Sequence, residues 1–235
     1  MLSDNDLVHS IEVDGYTIKN SKSVKLLGIK LDNKLTFNEH VNTLCTKASQ
    51  KIHALARVSN YMSLKQRRSI MYAFISSHFG YCPLVWMFHS RLLNNRINKI
   101  HERALRIVYK DNVSSFEDLL LKDNSVTIHE RNIQKLAIEL YKVANRSSPK
   151  IMDFILPLKE KIRYPGENIF RTMNVKTVTW GTESLRHMGP KIWNIIPENL
   201  KNIDNLTTFT ENIRLWRPKC PCRICKRYIA GIGFI

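Results

Sequence analysis

The chain has 235 residues, 43% of them apolar and 24% charged, which excludes wholesale disorder and leaves room for one large domain or two small ones. Lysine and arginine number 37 against 20 aspartate and glutamate, a formal charge of +17. A positive field of that size favours a polyanionic partner, nucleic acid first and an anionic membrane second, although charge alone does not decide it.

The opening MLSDNDLVHS has no basic n-region and no apolar h-region, so it does not read as a secretory signal. With five cysteines, three of them crowded near the C-terminus, the expected compartment is reducing and intracellular, cytoplasm or nucleus. LVHSIEV and YTIK flank Asp14-Gly15, a strong hairpin signal, and VKLLGIKLD reads as a third strand. Thr36 and Glu39 then form a capping box for a helix to about Ser59, with Val41, Leu44, Ala48, Ile52 and Leu55 on its inner face. Ser63 and Gln66 repeat the device for a helix to about His78. The 19 residues from Ile70 to Phe88 carry no Asp, Glu, Lys or Arg and approach membrane-spanning length. Ser76, Ser77, His78, Gly80 and Pro83 interrupt them, so a buried helix followed by an apolar loop is the preferred reading and no membrane is expected.

A third long helix is expected over Arg91 to Tyr109, a short one capped by Ser115, and another from the Thr127/Glu130 capping box to about Asn145, burying Ile133, Leu136, Ala137 and Leu140. Beyond Pro157 the segments turn polar, with one strand-like alternation from Val175 to Trp180. Gly189-Pro190 introduces a short helix near Ile192 to Ile196, and Thr207 or Thr208 caps a last one ending at Trp216. The expected fold is mainly α, with a small N-terminal β segment (1–35), a helical bundle (36–157) and an irregular α+β tail (158–235). Leu44, Ile52, Phe74, Ile100, Ile107 and Leu136 are its expected core.

Two constellations carry candidate chemistry. On the third long helix, Arg96, Lys99, Arg103, Arg106 and Lys110 fall within an arc of about 80° beside an apolar stripe of Ile97, Ile100, Ala104 and Ile107. Five cations in one row repel each other, which favours an external row of phosphates over a merely solvated face. Lys47 and Lys51, with Lys65, Arg67 and Arg68, are candidates to extend that surface. In the tail, Cys220, Cys222 and Cys225 have the spacing C-x-C-x2-C, three of the four soft ligands Zn²⁺ wants. No Cys or His follows, and the nearest upstream histidine is His187, so a complete site needs a distant ligand or a second chain. The alternative is reduced surface thiols. Cys45 and Cys82 read as small core residues. No Asp-Asp pair, Gly-rich phosphate loop, GxSxG or HExxH is present, and no catalytic residue is assigned.

VKLLGIKLDNKLTFNEHV, SHFGYCPLVWMF, INKIHERALRIVYKD, SVTIHERNIQKLAIELYKV and the tail WRPKCPCRICKRYIAGIGFI together resemble, in order, the C-terminal end of non-LTR retrotransposon reverse transcriptases of jockey-like type. The resemblance implies the end of a polymerase palm, a thumb of helices that grips the template–primer duplex, and a tail. Gly28, Asp32 and His40 match the palm-to-thumb transition, and Tyr81, Cys82, Pro83 and Trp86 the loop between thumb helices. The family's Asp-Asp motif and the Mg²⁺ it holds lie outside this chain, so polymerase activity does not transfer with the resemblance. Three readings stand: a thumb-plus-tail fragment that binds an RNA–DNA or RNA duplex and docks on the palm and fingers of its parent, a zinc-dependent interaction module, or a decayed element copy without function.

Overall fold

The structure, a computed structural model, describes residues 10–19, 21–160, 169–177, 181–220, 222 and 224. Strands β1 (Ser10–Val13) and β2 (Tyr16–Lys19) form the expected hairpin, with Asp14 (φ 50°) and Gly15 (φ 78°) as a primed turn whose twist matches that of the strands. The run expected as one third strand folds back on itself instead, as β3 (Ser23–Leu26) and β4 (Ile29–Asp32). The turn is Leu27 (φ 46°) and Gly28 (φ 87°). Glycine adopts that conformation freely, whereas leucine does so at a steric cost. Tyr81 Oη donates to the Leu27 carbonyl at 2.7 Å and holds the tip in place.

Helix α1 (Asn38–Val58) buries Val41, Leu44, Ala48, Ile52 and Leu55, as the periodicity predicts. Its start does not use the expected box. Asp32 accepts the backbone N–H groups of Lys34, Thr36 and Phe37 and the Thr36 hydroxyl, while Glu39 turns away to Lys30 Nζ at 2.6 Å. Asp32 thus takes the Thr36 N–H that Glu39 would accept in a capping box, the Thr36 hydroxyl receives the Asn38 N–H at 3.4 Å, and the N-cap residue is Phe37, which offers no side-chain acceptor. Ser63 and Gln66 do form their box, opening α2 (Leu64–Ile70).

From there the apolar stretch changes pitch, through a π turn at Met71–Ile75 and a 3₁₀ turn at Ser76–Gly80, before α3 (Pro83–Trp86). The wider π turn places Met71, Ile75 and Phe79 inward at intervals of four, which rotates Phe74 out to 56% exposure. Phe74 is therefore not a core residue. No helix of the described residues is long and apolar enough to cross a membrane.

Helix α4 has the expected bounds, Arg91–Tyr109, and is capped by Ser90. It packs along α1 to form a first core with Trp86, Ile97, Ile100, Ala104 and Leu105, while Ile107 packs against that core half-buried. Ser115 and Asp118 box the start of α5 (Phe116–Lys122), and Thr127 and Glu130 that of α6 (Ile128–Ala144).

A second core gathers Ile133, Leu136, Ala137 and Leu140 of α6 with side chains from both sides of residue 157: α7 (Ile151–Ile155), α8 (Leu185–Ile195), α9 (Glu198–Lys201) and α10 (Leu206–Leu215). Tyr141 stacks on Phe209 at 4.1 Å. Helix α8 begins five residues before Pro190, under a Ser184 cap, rather than after it. A Cβ on Gly189 would stand 2.5 Å from Leu156 Cδ2, so the glycine permits an approach that offsets the helix bond Pro190 cannot make. Asn205, not Thr207 or Thr208, caps α10 and receives the N–H groups of both threonines. Residues 175–177 form no strand, and the rest of that expected element (178–180) lies outside the described residues. Among the described residues the extended pairing in the tail is a single bridge, Leu158 to Phe170.

Candidate functional site

The cationic row is set by the helix period of α4. Its buried side chains (Leu93, Ile97, Ile100, His101, Ala104, Leu105 and Val108) face α1, α5 and α6, so Arg96, Lys99 and Arg103 stand on the opposite side, exposed. Arg96 Nη1 reaches Asn42 Oδ1 on α1 and is oriented by it. Lys99 and Arg103 make no ion pair among the described residues. Arg106 differs: Glu102, one turn earlier, takes its guanidinium, and its Nη1 donates to the Asp111 carbonyl. The row thus has a carboxylate at its border that the arc of cations leaves out of view. Lys110 is exposed, but as the α4 C-cap at φ 52° it has left the helical row.

The flanking cations divide. Lys47 and Lys51 are exposed on α1 and close enough to lower the His78 pKa, after burial, which is the larger cause. Asn42, where Arg96 lands, is nine residues from Lys51, about half a turn around the helix. The two lysines therefore face a different side from the α4 row. Lys65 is exposed. Arg67 is buried at 7% exposure and donates to the carbonyls of Val108 (2.7 Å), Met62 (2.6 Å) and Ser59 (3.4 Å). It is a helix-end tie and leaves the basic surface. Arg68 lies 2.7 Å from the buried carboxylate of Asp123, which also accepts from the hydroxyls of Tyr72 and Tyr109. Burial by itself would raise the Asp123 pKa, but these donors outweigh it and hold the carboxyl below its ordinary value.

The residues that carry the family resemblance converge although they are far apart in sequence. Tyr81 holds the Leu27–Gly28 tip, His40 Nδ1 accepts from Lys30 N at 3.4 Å, and the His40 ring meets Trp86 edge-on at 6.0 Å. Asp32 braces the turn that leads into α1 beside them. These contacts build one joint between the β3–β4 hairpin and the helices, which no local signal reveals. Cys82 is exposed in the left-handed region at φ 41°, not a core residue, whereas Cys45 is buried and its thiol is pushed up to about 11 by that burial.

His101 is wholly buried against the Phe116 ring, and neither of its ring nitrogens has a partner. Burial, with Arg131 adding to it, pushes its pKa down to about 3 from an ordinary 6.5. Below pH 6.5 the unfolded chain takes up a proton that the fold refuses. Stability is complete above that pH and falls as the pH drops towards 3. Replacing His101 with Met is expected to remove about 2 kcal/mol of the stability lost between pH 7 and pH 5, read from urea midpoints of both proteins at the two pH values.

The chain's last described residues return to the start of α6. His129 Nε2 lies 3.2 Å from Cys222 Sγ, the Cys222 N–H points at Cys220 Sγ at 3.4 Å, and all three side chains are buried. Their ligand atoms lie within 4.8 Å of one another, and among the described residues this is the one group of three or more His, Cys, Asp or Glu placed to hold a metal ion. His187, the nearest upstream histidine in sequence, instead places Nδ1 3.3 Å from the Met173 carbonyl. Cys225 lies outside the described residues. A groove of about 910 Å³ beside Leu84, Phe88, Leu92 and Leu185 is mostly apolar, with Glu183 the one carboxylate in its lining.

No family profile matches the chain, and no solved structure does. Among curated proteins, 101 residues of the chain, 42% of it, are 27% identical to a probable RNA-directed DNA polymerase from the transposon BS of Drosophila melanogaster. The match spans 11% of that relative, so the chain is similar to a region of a transposon-encoded reverse transcriptase.

Proposed function

We propose that this chain is the thumb and tail of a jockey-like retrotransposon RNA-directed DNA polymerase, and that it holds the backbone of a template–primer duplex. The observation that carries the reading is the exposed row Arg96, Lys99 and Arg103 on a helix whose opposite face is locked into the core. The row repeats about every 5 Å along a rigid element, a spacing that suits successive phosphates. Backbone contacts position a duplex without reading its sequence, so little sequence preference follows. The hairpins fit the same reading. Ile11, Tyr16, Ile18, Val24 and Leu26 stand more than half exposed on them, and the palm of the parent polymerase is the surface that covers them. The chain supplies grip and no catalytic carboxylate.

The triple substitution Arg96→Glu, Lys99→Glu, Arg103→Glu keeps good helix formers on α4 and should leave the fold intact. Its affinity for an RNA–DNA hybrid is expected to fall at least about tenfold at 0.1 M salt, and the dependence of log affinity on log salt to become shallower by about one for each phosphate no longer neutralised. Titrating a labelled hybrid and a labelled RNA duplex over a salt series checks both. Unchanged affinity and slope would remove the α4 row from the reading.

A further inference from the structure

The cluster at the foot of α6 has the chemistry of a closed metal site. A tetrahedral Zn²⁺, with bonds of about 2.3 Å to sulfur and about 2.0 Å to nitrogen, holds its ligand atoms about 3.5–3.8 Å apart. His129, Cys220 and Cys222 gather one nitrogen and two sulfurs within 4.8 Å, which is the vicinity such an ion needs. The Cys222 N–H directed at Cys220 Sγ favours a thiolate there, as backbone amides do around metal-bound sulfur. Burial of all three excludes the open, water-bearing position that a catalytic zinc requires. The rest of the docking already runs towards this point: Gln134 Nε2 on α6 donates to the carbonyls of Arg214 (3.1 Å) and Trp216 (2.7 Å).

We infer that His129, Cys220 and Cys222 bind one structural Zn²⁺, which pins the C-terminal tail to the first turn of α6. These three residues supply one nitrogen and two sulfurs of the four donors that a closed zinc site takes. The site is independent of the basic row on α4, so either reading survives failure of the other.

The test is metal content of the full chain, purified from zinc-supplemented medium and measured by mass spectrometry. About one equivalent per chain is expected, falling below about a third in Cys222→Ser, with the melting temperature lowered by about 10 °C. In case that variant does not fold, His129→Cys keeps three protein donors at the site. Reloaded with Co²⁺, it is expected to show a stronger sulfur-to-cobalt charge-transfer band than the unsubstituted chain, because one nitrogen has become a thiolate. Less than about a third of an equivalent in the unsubstituted chain overturns the site, as does a cobalt spectrum that His129→Cys leaves unaltered. Zinc lost in Cys225→Ser keeps the three-residue site and adds that thiol as its fourth donor. Zinc retained there but lost in His89→Gln keeps the three-residue site and gives the fourth position to the buried His89.

Discussion

Asp123→Asn is expected to destabilise the fold by about 2–4 kcal/mol, a large part of what a domain of this size has to lose. The Asp123 carboxylate has no solvent exposure and takes charge-assisted bonds from Arg68 Nε at 2.7 Å and Tyr109 Oη at 2.8 Å, and a third from Tyr72 Oη. Arg68 also donates to its carbonyl at 2.9 Å, so α2, the π turn and the ends of α4 and α5 meet at one anion. An amide presents two donors where the fold offers only donors, so at least one hydroxyl loses its acceptor and Arg68 faces no charge. The loss stays at the lower end of the range for a broken buried pair because the Arg68 side chain is 45% exposed and can turn to water. The sign with pH follows from the depressed carboxyl. The contribution is complete above the ordinary value of 3.8 and is lost as pH falls through the lower folded value, so the variant should differ less from the unsubstituted chain in strong acid. Urea melts at pH 7 and pH 3 measure both effects, and equal stability of the two proteins at pH 7 would sink the hub.

Arg67→Met is expected to cost about 3 kcal/mol and to leave nucleic-acid affinity per folded molecule unchanged. Methionine keeps the apolar stem in place but brings no donor. Two carbonyls then lose the donor that satisfies them, Val108 in the last turn of α4 and Met62 just beyond α1, while the Ser59 carbonyl keeps the Met62 N–H. Each helix end leaves carbonyls that its own backbone does not satisfy, and an unsatisfied buried acceptor costs about 1–3 kcal/mol. Arg67→Lys should recover only part of the loss, since one ammonium does not span acceptors the planar fork reaches together. Thermal melts paired with the hybrid titration separate stability from binding. A weakened salt slope in Arg67→Met would return this residue to the basic surface.

Arg67 and Arg68 show how far the sequence can be read. They are identical neighbours on a basic helix, and nothing local says that one is buried among carbonyls and the other paired with Asp123, 55 residues away. Where the signal is local and unopposed it reads well. Helix α4 has the expected ends, and the Ser63/Gln66 and Thr127/Glu130 boxes form as their spacing predicts. Thr36 and Glu39 have the same spacing and fail because Asp32, four residues back, takes the Thr36 and Phe37 N–H groups. The β3–β4 turn is hidden in the sequence because a leucine occupies a left-handed position normally marked by Asn, Asp or Gly. Phe74 faces outward because apolar periodicity assumes one pitch and the chain uses another there. The cysteine group is half legible, since C-x-C-x2-C shows in the sequence while His129 lies 91 residues before Cys220.

Helix α6 contributes Ile128 to the first core and Ile133, Leu136, Ala137, Leu140, Tyr141 and Val143 to the second. A segment that walls two cores ties their opening together, because neither can expose its interior while the shared wall stays fully packed. The amides at the middle of α6 should therefore exchange with solvent only through global unfolding, and those of α4 should follow at nearly the same rate rather than in an earlier step. By the same logic the two halves are not interchangeable modules. A chimera joined within α6 would need both cores rebuilt at once, so exchange between related elements is more readily tolerated at the exposed β hairpins.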